Sequence, residues 1–330
     1  MTAFQIQGFG AYTPAKQLTN ADLLSKVDTN DEWIVSRTGI KSRYMLADGE
    51  QGSDAGTNAA ERALADAKLV PADITHVLTA TCTPEYLCPS TACTISAKLG
   101  IQGPMAFDLN AACSGFVYGM ELAKGILAGS PQARVLLVST EALTRRVDWT
   151  NRSTSVLFGD GAGAAVLTSG AATGGTCPAC VEDVLCRADG TQASLLTVGG
   201  GTHTRYEPAD PVGSAFYIDM QGRDVFKHAV RRLTSISQEI LERNKLHLSD
   251  VDLFIPHQAN LRIIEAVGDR LDLHGDRVFI NVHEYGNTSA ASIPLALEDA
   301  RRQGVIKPGM RVLLATFGGG FTWGAALLRF

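Results

Sequence analysis

The stretch "DLNAACSGF" (108–116) places Cys113 among small residues, where an apolar strand pattern gives way to a helical one beginning near Ser114. A thiol at a helix start meets unpaired backbone N–H groups and the positive end of the helix dipole, and both favour the thiolate. Ala111, Ala112 and Gly115 leave room for a substrate to approach. Free cysteine is also a common small core residue, so on this stretch alone nucleophile and structural thiol stand level. In "IPHQANLRIIEAV" (255–267) a strand ends at Pro256 and a helix starts near Asn260, with Leu261, Ile264 and Val267 inward. His257 then lies on a loop at the carboxyl end of a strand, where open α/β sheets bind ligands. A nearby helix start disfavours imidazolium and leaves a neutral ring able to donate or accept one hydrogen bond; a loop histidine without a role is the plainer alternative. Asn287 in "EYGNTSAAS" (284–292) offers an uncharged amide donor, or simply a turn or N-cap residue. The run "FGGGFTWG" (317–324) lets backbone N–H groups approach a ligand closely, or marks a tight strand bend.

The elements that must position these groups follow an α/β pattern. "ITHVLTATC" (74–82), "ARVLLVST" (133–140), "VDLFIP" (251–256) and "MRVLLATF" (310–317) read as buried strands. Between them lie amphipathic stretches such as "TNAAERALADAKL" (57–69) and "ASIPLALEDARRQG" (291–304), which predicts a layered fold with a largely parallel core. After Cys113, the residues Phe116, Met120 and Leu122 fall at roughly helical spacing.

Three pairs of segments echo one another. "FGDGAGAAVL" (158–167) and "FGGGFTWGAALL" (317–328) each join a strand end, a glycine-rich turn and a small-residue strand, 159 residues apart. "ADITHVLTATC" (72–82) matches "SDVDLFIPHQA" (249–259), and "NAACSGFVYGMELA" (110–123) matches "NTSAASIPLALEDA" (287–300). The chain therefore divides into two topologically similar halves, 1–172 and 173–330. The stretch 171–202, rich in Gly, Thr and Ala, reads as irregular surface structure at their junction.

Composition excludes several classes. The 330 residues are 45% hydrophobic and 19% charged, with a formal net charge of −5, which is ordinary globular composition without the basic face of a nucleic-acid binder. No stretch reaches the roughly 18 apolar residues of a membrane span. The opening "MTAFQIQGFGAYTPA" has no Lys or Arg, so no secretory signal is expected and a cytoplasmic location is. Seven cysteines, an odd number in a chain of this size, fit reduced thiols better than a disulfide framework.

Taken together, "DLNAACSGF", "HQANLRII", "EYGNTSAASIPLAL" and the ending "FGGGFTWGAALLRF", with "DEWIVSRTGIKSR" (31–43), resemble β-ketoacyl-acyl-carrier-protein synthase III over nearly the whole chain. The resemblance implies a thiolase-like fold, two similar halves in an α-β-α-β-α layering, and a homodimer. It implies an acyltransferase that condenses an acyl-CoA primer with malonyl-acyl-carrier protein, starting fatty-acid synthesis without a cofactor or metal. Cys113 would carry the acyl group as a thioester. His257 and Asn287 would hold the malonyl thioester carbonyl and stabilise the enolate formed on decarboxylation. The N–H groups of Cys113 and Gly319 would form the oxyanion hole. Trp33 and Arg152 would sandwich the CoA adenine, Arg37 would contact phosphate, and Gly222, Phe226 and Asn260 would line the pantetheine tunnel. Arg223, Lys227 and Arg231, on one face of "GRDVFKHAVRR" (222–232), would with Arg262 dock the acidic carrier protein, or form an ordinary solvated helix face.

The chain departs from the family at Cys88, before the proline of "CPSTA", where a bulky aromatic is common and the side chain borders the partner subunit's acyl pocket. A smaller residue there predicts tolerance of primers longer than acetyl. "CPAC" (177–180) suggests a redox or zinc pair, but a structural zinc wants four ligands and only Cys186 lies near. Phosphate-loop, H-E-x-x-H and dinucleotide fingerprints are absent from the sequence, so ATP, metalloprotease and NAD readings lack support. A related condensing enzyme of secondary metabolism, a cysteine hydrolase and a non-catalytic dimer partner are the alternatives; the joint presence of Cys113, His257 and Asn287 argues against the last.

Overall fold

A computed structural model describes residues 4–170, 179–201 and 214–330. Its centre is a nine-stranded sheet built from β1 (Phe4–Tyr12), β2 (His76–Ala80), β3 (Met105–Leu109), β4 (Arg134–Glu141), β5 (Gly161–Ser169), β6 (Ala179–Ala188), β7 (Leu253–Pro256), β8 (Arg311–Gly318) and β9 (Thr322–Arg329). Their order is β7-β8-β9-β6-β1-β5-β4-β2-β3. The two halves of that order have matching relations. β2 pairs in parallel with β3 and β4, and β4–β5 and β5–β1 are antiparallel. β7 pairs in parallel with β8, β8–β9 and β9–β6 are antiparallel, and a single parallel bridge from Phe254 to Val278 stands where β3 stands in the first half. The halves join edge to edge where Phe4–Ile6 of β1 pairs with Val181–Ala179 of β6. All three sequence echoes fall on equivalent elements of this plan.

Period-two alternation in the strands builds the layers. In β4, Val135 and Leu137 face inward onto the helix α4 (Gly115–Gly129), while Leu136 and Val138 face α2 (Gly52–Ala67) and α3 (Thr91–Leu99). In β8, Val312 and Leu314 join the same inner core, which includes α7 (Ser292–Arg302). Leu313 and Ala315 face outward onto α5 (Gly222–Arg243) and α6 (Leu261–Leu271). Helices α4 and α7 thus lie between the two sheet halves, with α2 and α3 outside one and α5 and α6 outside the other. This is the α-β-α-β-α layering expected.

Three expectations fail here. The core is mixed and not largely parallel: three of the eight neighbouring strand pairs are parallel and five antiparallel, in part because the short turn between β8 and β9 can join only antiparallel strands. The stretch 171–202 is not irregular throughout, because 179–188 is the strand by which the second half joins the first. Its signal was masked by "EDV" in its middle: a register shift between Leu327 and Leu328 accompanies an inward Asp183 that is 2% exposed. That carboxylate is tied down by Lys124 (3.7 Å), Arg243 (3.1 Å) and Asn244 (2.9 Å). The half boundary at 172/173 and Cys177 of the "CPAC" pair lie outside the described residues; Cys180 is on β6. Among the described residues no three His, Cys, Asp or Glu side chains are grouped to hold a metal ion. In α4, Phe116 and Met120 are fully buried but Leu122 is 42% exposed, because two residues along a helix turn the side chain about 200° away. Ala123 and Leu127 continue the buried stripe instead.

Candidate active site

Cys113 lies in a 3₁₀ turn, Ala112–Ser114, between β3 and α4. The turn is bent by Ala112, whose φ of +46° is left-handed and costly for a residue with a Cβ. Its N–H donates to Asn110 Oδ1 (3.1 Å), which braces that conformation. Thr322 Oγ1 donates to the Ala111 carbonyl (2.7 Å) and Ser114 Oγ donates to the Thr322 carbonyl (3.1 Å), tying the turn to β9. The end of β8 presses against it so closely that a Cβ on Gly318 would sit 2.6 Å from the Cys113 nitrogen. Only glycine fits there.

The second half repeats this turn 177 residues later. Ser289–Ala291 is again a 3₁₀ turn running into a helix, Ser289 has φ +50°, and its N–H donates to Asn287 Oδ1 (2.9 Å). That bond fixes the Asn287 amide: its oxygen is engaged, and its NH2 group remains to donate. The Asn287 backbone is clamped on both sides, its N–H donating to the Leu157 carbonyl (2.8 Å) and its carbonyl accepting from Gly159 N–H (3.0 Å).

His257 follows β7 and its N–H donates to the Ala315 carbonyl (2.8 Å), extending the sheet by one residue. Its Nδ1 is 2.7 Å from Ser292 Oγ, which also accepts from Gln258 N–H (3.1 Å). Ser292 is buried, and among the described residues its hydroxyl has no acceptor but Nδ1, so its proton is assigned there. Nδ1 is then an acceptor and Nε2 carries the ring proton. The ring is neutral as expected, and burial lowers its pKa to about 3.

These groups meet at Cys113. A cavity of about 100 Å³ is lined by Cys113, His257, Asn287 and Phe317, and farther out by Phe226 and Asn260. Gly222 lines it too. A second cavity of about 330 Å³ is lined by Cys82, Cys113, Leu143, Ile218, Ser289 and Gly319. The sulfur therefore stands between a narrow channel and a wider chamber. The thiolate expected from the helix start is overruled. Burial pushes the Cys113 thiol up to about 12; Ser289 and backbone hydrogen bonding work against the rise and the Glu141 charge adds to it. In the resting enzyme Cys113 is a thiol.

The remaining candidates divide between near and far. Arg152 stacks on Trp33 at 4.5 Å from the ring centroid, and Arg37 at 4.9 Å. A base sandwiched between Trp33 and Arg152 needs about 7 Å, two stacking distances of about 3.5 Å, so Arg152 must swing aside to admit one. The polar atoms of Asn260 are committed: Oδ1 caps α6 at Arg262 N–H (2.9 Å) and Nδ2 donates to the Arg37 carbonyl (3.2 Å). Arg223, Lys227, Arg231 and Arg262 are all exposed, Lys227 pairs with Asp224 at 3.3 Å, and Arg262 lies over the Phe226 ring at 5.8 Å, beside the channel. Cys88 is exposed and borders neither cavity of its own chain.

Sequence reasoning missed Ser289, Ser292, Glu141 and Cys82. Ser289 and Ser292 stood inside a quoted stretch but read as helix-start residues. Glu141 ends β4 and Cys82 lies two residues beyond β2, and a carboxylate ending an apolar strand was the available signal for the first.

The profile of the family described as 3-oxoacyl-[acyl-carrier-protein] synthase III matches residues 107–182, and its C-terminal counterpart matches 241–330. The β-ketoacyl-[acyl-carrier-protein] synthase III of Nitratidesulfovibrio vulgaris is 63% identical over 99% of this chain and 98% of its own length. The crystal structure of 3-oxoacyl-[acyl-carrier-protein] synthase III from Aquifex aeolicus superposes with a TM-score of 0.90 at 42% identity, covering 99% of this chain and 100% of that one. A priming β-ketosynthase from the R1128 polyketide pathway gives 0.90 at 34% identity, covering 99% and 96%. On identity, coverage and shared architecture, the chain belongs to the 3-oxoacyl-[acyl-carrier-protein] synthase III family and has its thiolase fold.

Proposed function

We propose that this chain joins an acyl-CoA primer to malonyl-acyl-carrier protein by decarboxylative Claisen condensation through an acyl-Cys113 thioester, and so initiates fatty-acid synthesis. The observation that carries the reading is the single channel lined by Cys113, His257 and Asn287. Cys113 attacks the acyl thioester and CoA leaves. Malonyl-carrier protein then enters the same channel. Its thioester carbonyl accepts from His257 Nε2–H and the Asn287 NH2 group, both oriented before it arrives, so the enolate released with CO2 meets donors already in place. The enolate carbon attacks the acyl-Cys113 carbonyl, whose oxygen takes the N–H groups of Cys113 and Gly319. A neutral donor pair suffices because CO2 loss itself generates the carbanion, and no cofactor or metal enters the scheme.

Partner assignments belong to the same reading. CoA stacks its adenine at Trp33 with Arg152 displaced, places phosphate near Arg37, and runs its pantetheine past Gly222, Phe226 and Asn260. The exposed Arg223, Lys227, Arg231 and Arg262 suit an acidic carrier protein docking at the channel mouth. Exposed Tyr86 (63%) and Leu87 (82%) beside Cys88 favour a homodimer in which this loop meets the partner. The 330 Å³ chamber and the small Cys88 favour primers several carbons longer than acetyl. No helix among the described residues is long and apolar enough to cross a membrane, and we place the enzyme in the cytoplasm. Intact-mass spectrometry after incubation with acyl-CoAs of increasing length tests the reading. It expects one acyl adduct, lost in Cys113→Ser, with longer chains accepted. An adduct surviving that substitution sinks the nucleophile assignment, and strict acetyl preference sinks the chamber argument.

A further inference from the structure

Pro256 leaves a gap in the sheet next to His257. β7 pairs on one side with β8; on the other, Phe254 bridges in parallel to Val278, and Phe279 N–H donates to the Phe254 carbonyl (2.9 Å). One step further, a regular parallel ladder runs from the N–H of residue 256 to the carbonyl of residue 279, and from the N–H of residue 281 to the carbonyl of residue 256. Proline has no N–H, so the first of these bonds cannot form. The side-chain amide of Gln258 takes the place of both. Its Nε2 donates to the Phe279 carbonyl (3.2 Å) and to the Pro256 carbonyl (2.8 Å). Its Oε1 accepts from Asn281 N–H (2.9 Å) and Val282 N–H (3.2 Å). Gln258 is 1% exposed, and both donors and both acceptor sites of its amide are used. A buried amide satisfied so completely is rigid, and it holds the chain at 279–282 against the His257 loop.

The chain held in this way leads directly to Asn287. Val282–Tyr285 is a single helical turn with no side-chain cap from Asn281, and Gln258 Oε1 supplies the acceptor at its start. Gly286 N–H closes the turn on the Val282 carbonyl (3.0 Å), and Asn287 follows. From the other direction, Ser292 Oγ meets His257 Nδ1 at 2.7 Å. Val282 and Ser292 each stand five residues from Asn287. Two tethers therefore bracket the Asn287 turn and tie it to the His257 loop, one through the Gln258 amide and one through the Ser292 hydroxyl. We propose that Gln258 is a positioning residue that sets the separation of the His257 and Asn287 donors, so that both reach one carbonyl oxygen. The inference rests on the reading of His257 and Asn287 as the pair that holds the malonyl thioester.

The two half-reactions depend on this residue differently. Decarboxylation needs His257 Nε2–H and the Asn287 NH2 group aimed at the same oxygen, and those two groups come from the segments that Gln258 joins. A misplacement of about 1 Å at such a site costs about 100-fold in rate. Acylation instead uses Cys113 and the N–H groups of Cys113 and Gly319. The turn carrying Cys113 is braced by Asn110, Thr322 and the close approach of Gly318, and Gln258 bonds to none of them.

The measurement sets acyl-enzyme formation, by quenched-flow intact mass, against CO2 release from malonyl-carrier protein by preformed acyl-enzyme. Gln258→Met keeps the length of the side chain and breaks every bond its amide makes. It should slow CO2 release by about 100-fold and leave acylation within about threefold of wild type. Gln258→Glu decides the matter if the methionine variant does not fold. Its neutral acid keeps an acceptor and one donor, whereas its ionised form turns negative charge on the Pro256 and Phe279 carbonyls. Its CO2 release relative to wild type should then fall by about tenfold or more between about pH 6 and about pH 9, with relative acylation flat. A residue that only stabilised the fold would lower both half-reactions together. Unchanged CO2 release in Gln258→Met, an equal fall in both half-reactions, or a pH-independent ratio in Gln258→Glu overturns the proposal. His257→Ala in the same assay checks the underlying reading. Normal CO2 release there fails His257 as a donor, whereas slow release there beside normal release in Gln258→Met fails the positioning role alone.

Discussion

Ser292→Ala removes the hydroxyl that donates to His257 Nδ1 at 2.7 Å and accepts from Gln258 N–H at 3.1 Å. Nothing else about the ring changes: its backbone bond to Ala315 remains and it stays buried. Without the serine proton, Nδ1 no longer has a donor, and the tautomer with the proton on Nδ1 becomes competitive. That tautomer presents a lone pair to the malonyl carbonyl where a donor is needed. A hydrogen bond between neutral groups contributes about 0.5–1.5 kcal/mol net, and about 1.4 kcal/mol is tenfold in rate. Decarboxylation should therefore slow by about tenfold, with a ceiling near the 10²–10³ seen when an oxyanion donor is lost outright. Leaving Gln258 N–H buried without an acceptor should also cost about 1–3 kcal/mol of stability. The assay is CO2 release from malonyl-carrier protein by preformed acyl-enzyme, set against the rate of acyl-enzyme formation. Ser292→Thr, which keeps the hydroxyl, should recover most of the loss. Unchanged decarboxylation, or an equal fall in acylation, would refute the tautomer argument.

Three further expectations follow from the same geometry. The native pKa of His257, about 3, lies below the ordinary 6.5, so the unfolded chain takes up a proton as pH falls through 6.5 while the native protein does not. The contribution of the neutral ring is then full above about pH 6.5 and lost progressively down to about 3, so urea midpoints should fall more steeply with acid in wild type than in His257→Asn. Trp33→Ala should raise KM for acyl-CoA by about 5-fold or more, from a base-stacking contribution of about 1–3 kcal/mol, with kcat little changed; a kcat defect at unchanged KM would remove Trp33 from the CoA site. Gly318→Ala puts a methyl group 2.6 Å from the Cys113 nitrogen and should depress acylation by intact mass and lower Tm together. Wild-type kinetics in that variant would mean the turn carrying Cys113 yields more easily than its bracing implies.

The sequence echoes marked equivalent strands and helices in both halves, because each echo combined a turn signal with a change of hydrophobic period. β6 escaped the same reading because its buried Asp183 is legible as core only once Lys124, Arg243 and Asn244 are seen around it. Cys113, His257 and Asn287 were visible because each sits in a distinctive loop. Their protonation states were not. The helix start at Cys113 is a local feature written in the chain, whereas the burial that outweighs it comes from β8, β9 and the second half folding over the turn. Glu141 was hidden for the same reason: a carboxylate at a strand end is ordinary until its burial among neutral donors is known.

The paired turns have a consequence for how such a site can arise and change. Asn110 and Asn287 hold the same bend in the same way, yet Asn110 lines the wider chamber and Asn287 the narrow channel. Counted in register, Cys113 stands opposite Ala290, and Ser289 opposite Ala112. On the proposed function the two matching turns take different parts: one carries the nucleophile, and its twin supplies the amide that receives negative charge and a hydroxyl lining the same chamber as the sulfur. Two identical turns would give two thiols and nothing to hold an enolate. The chemistry therefore resides in the broken symmetry, and exchanging residues between the twin turns is the shortest route to asking which differences are indispensable.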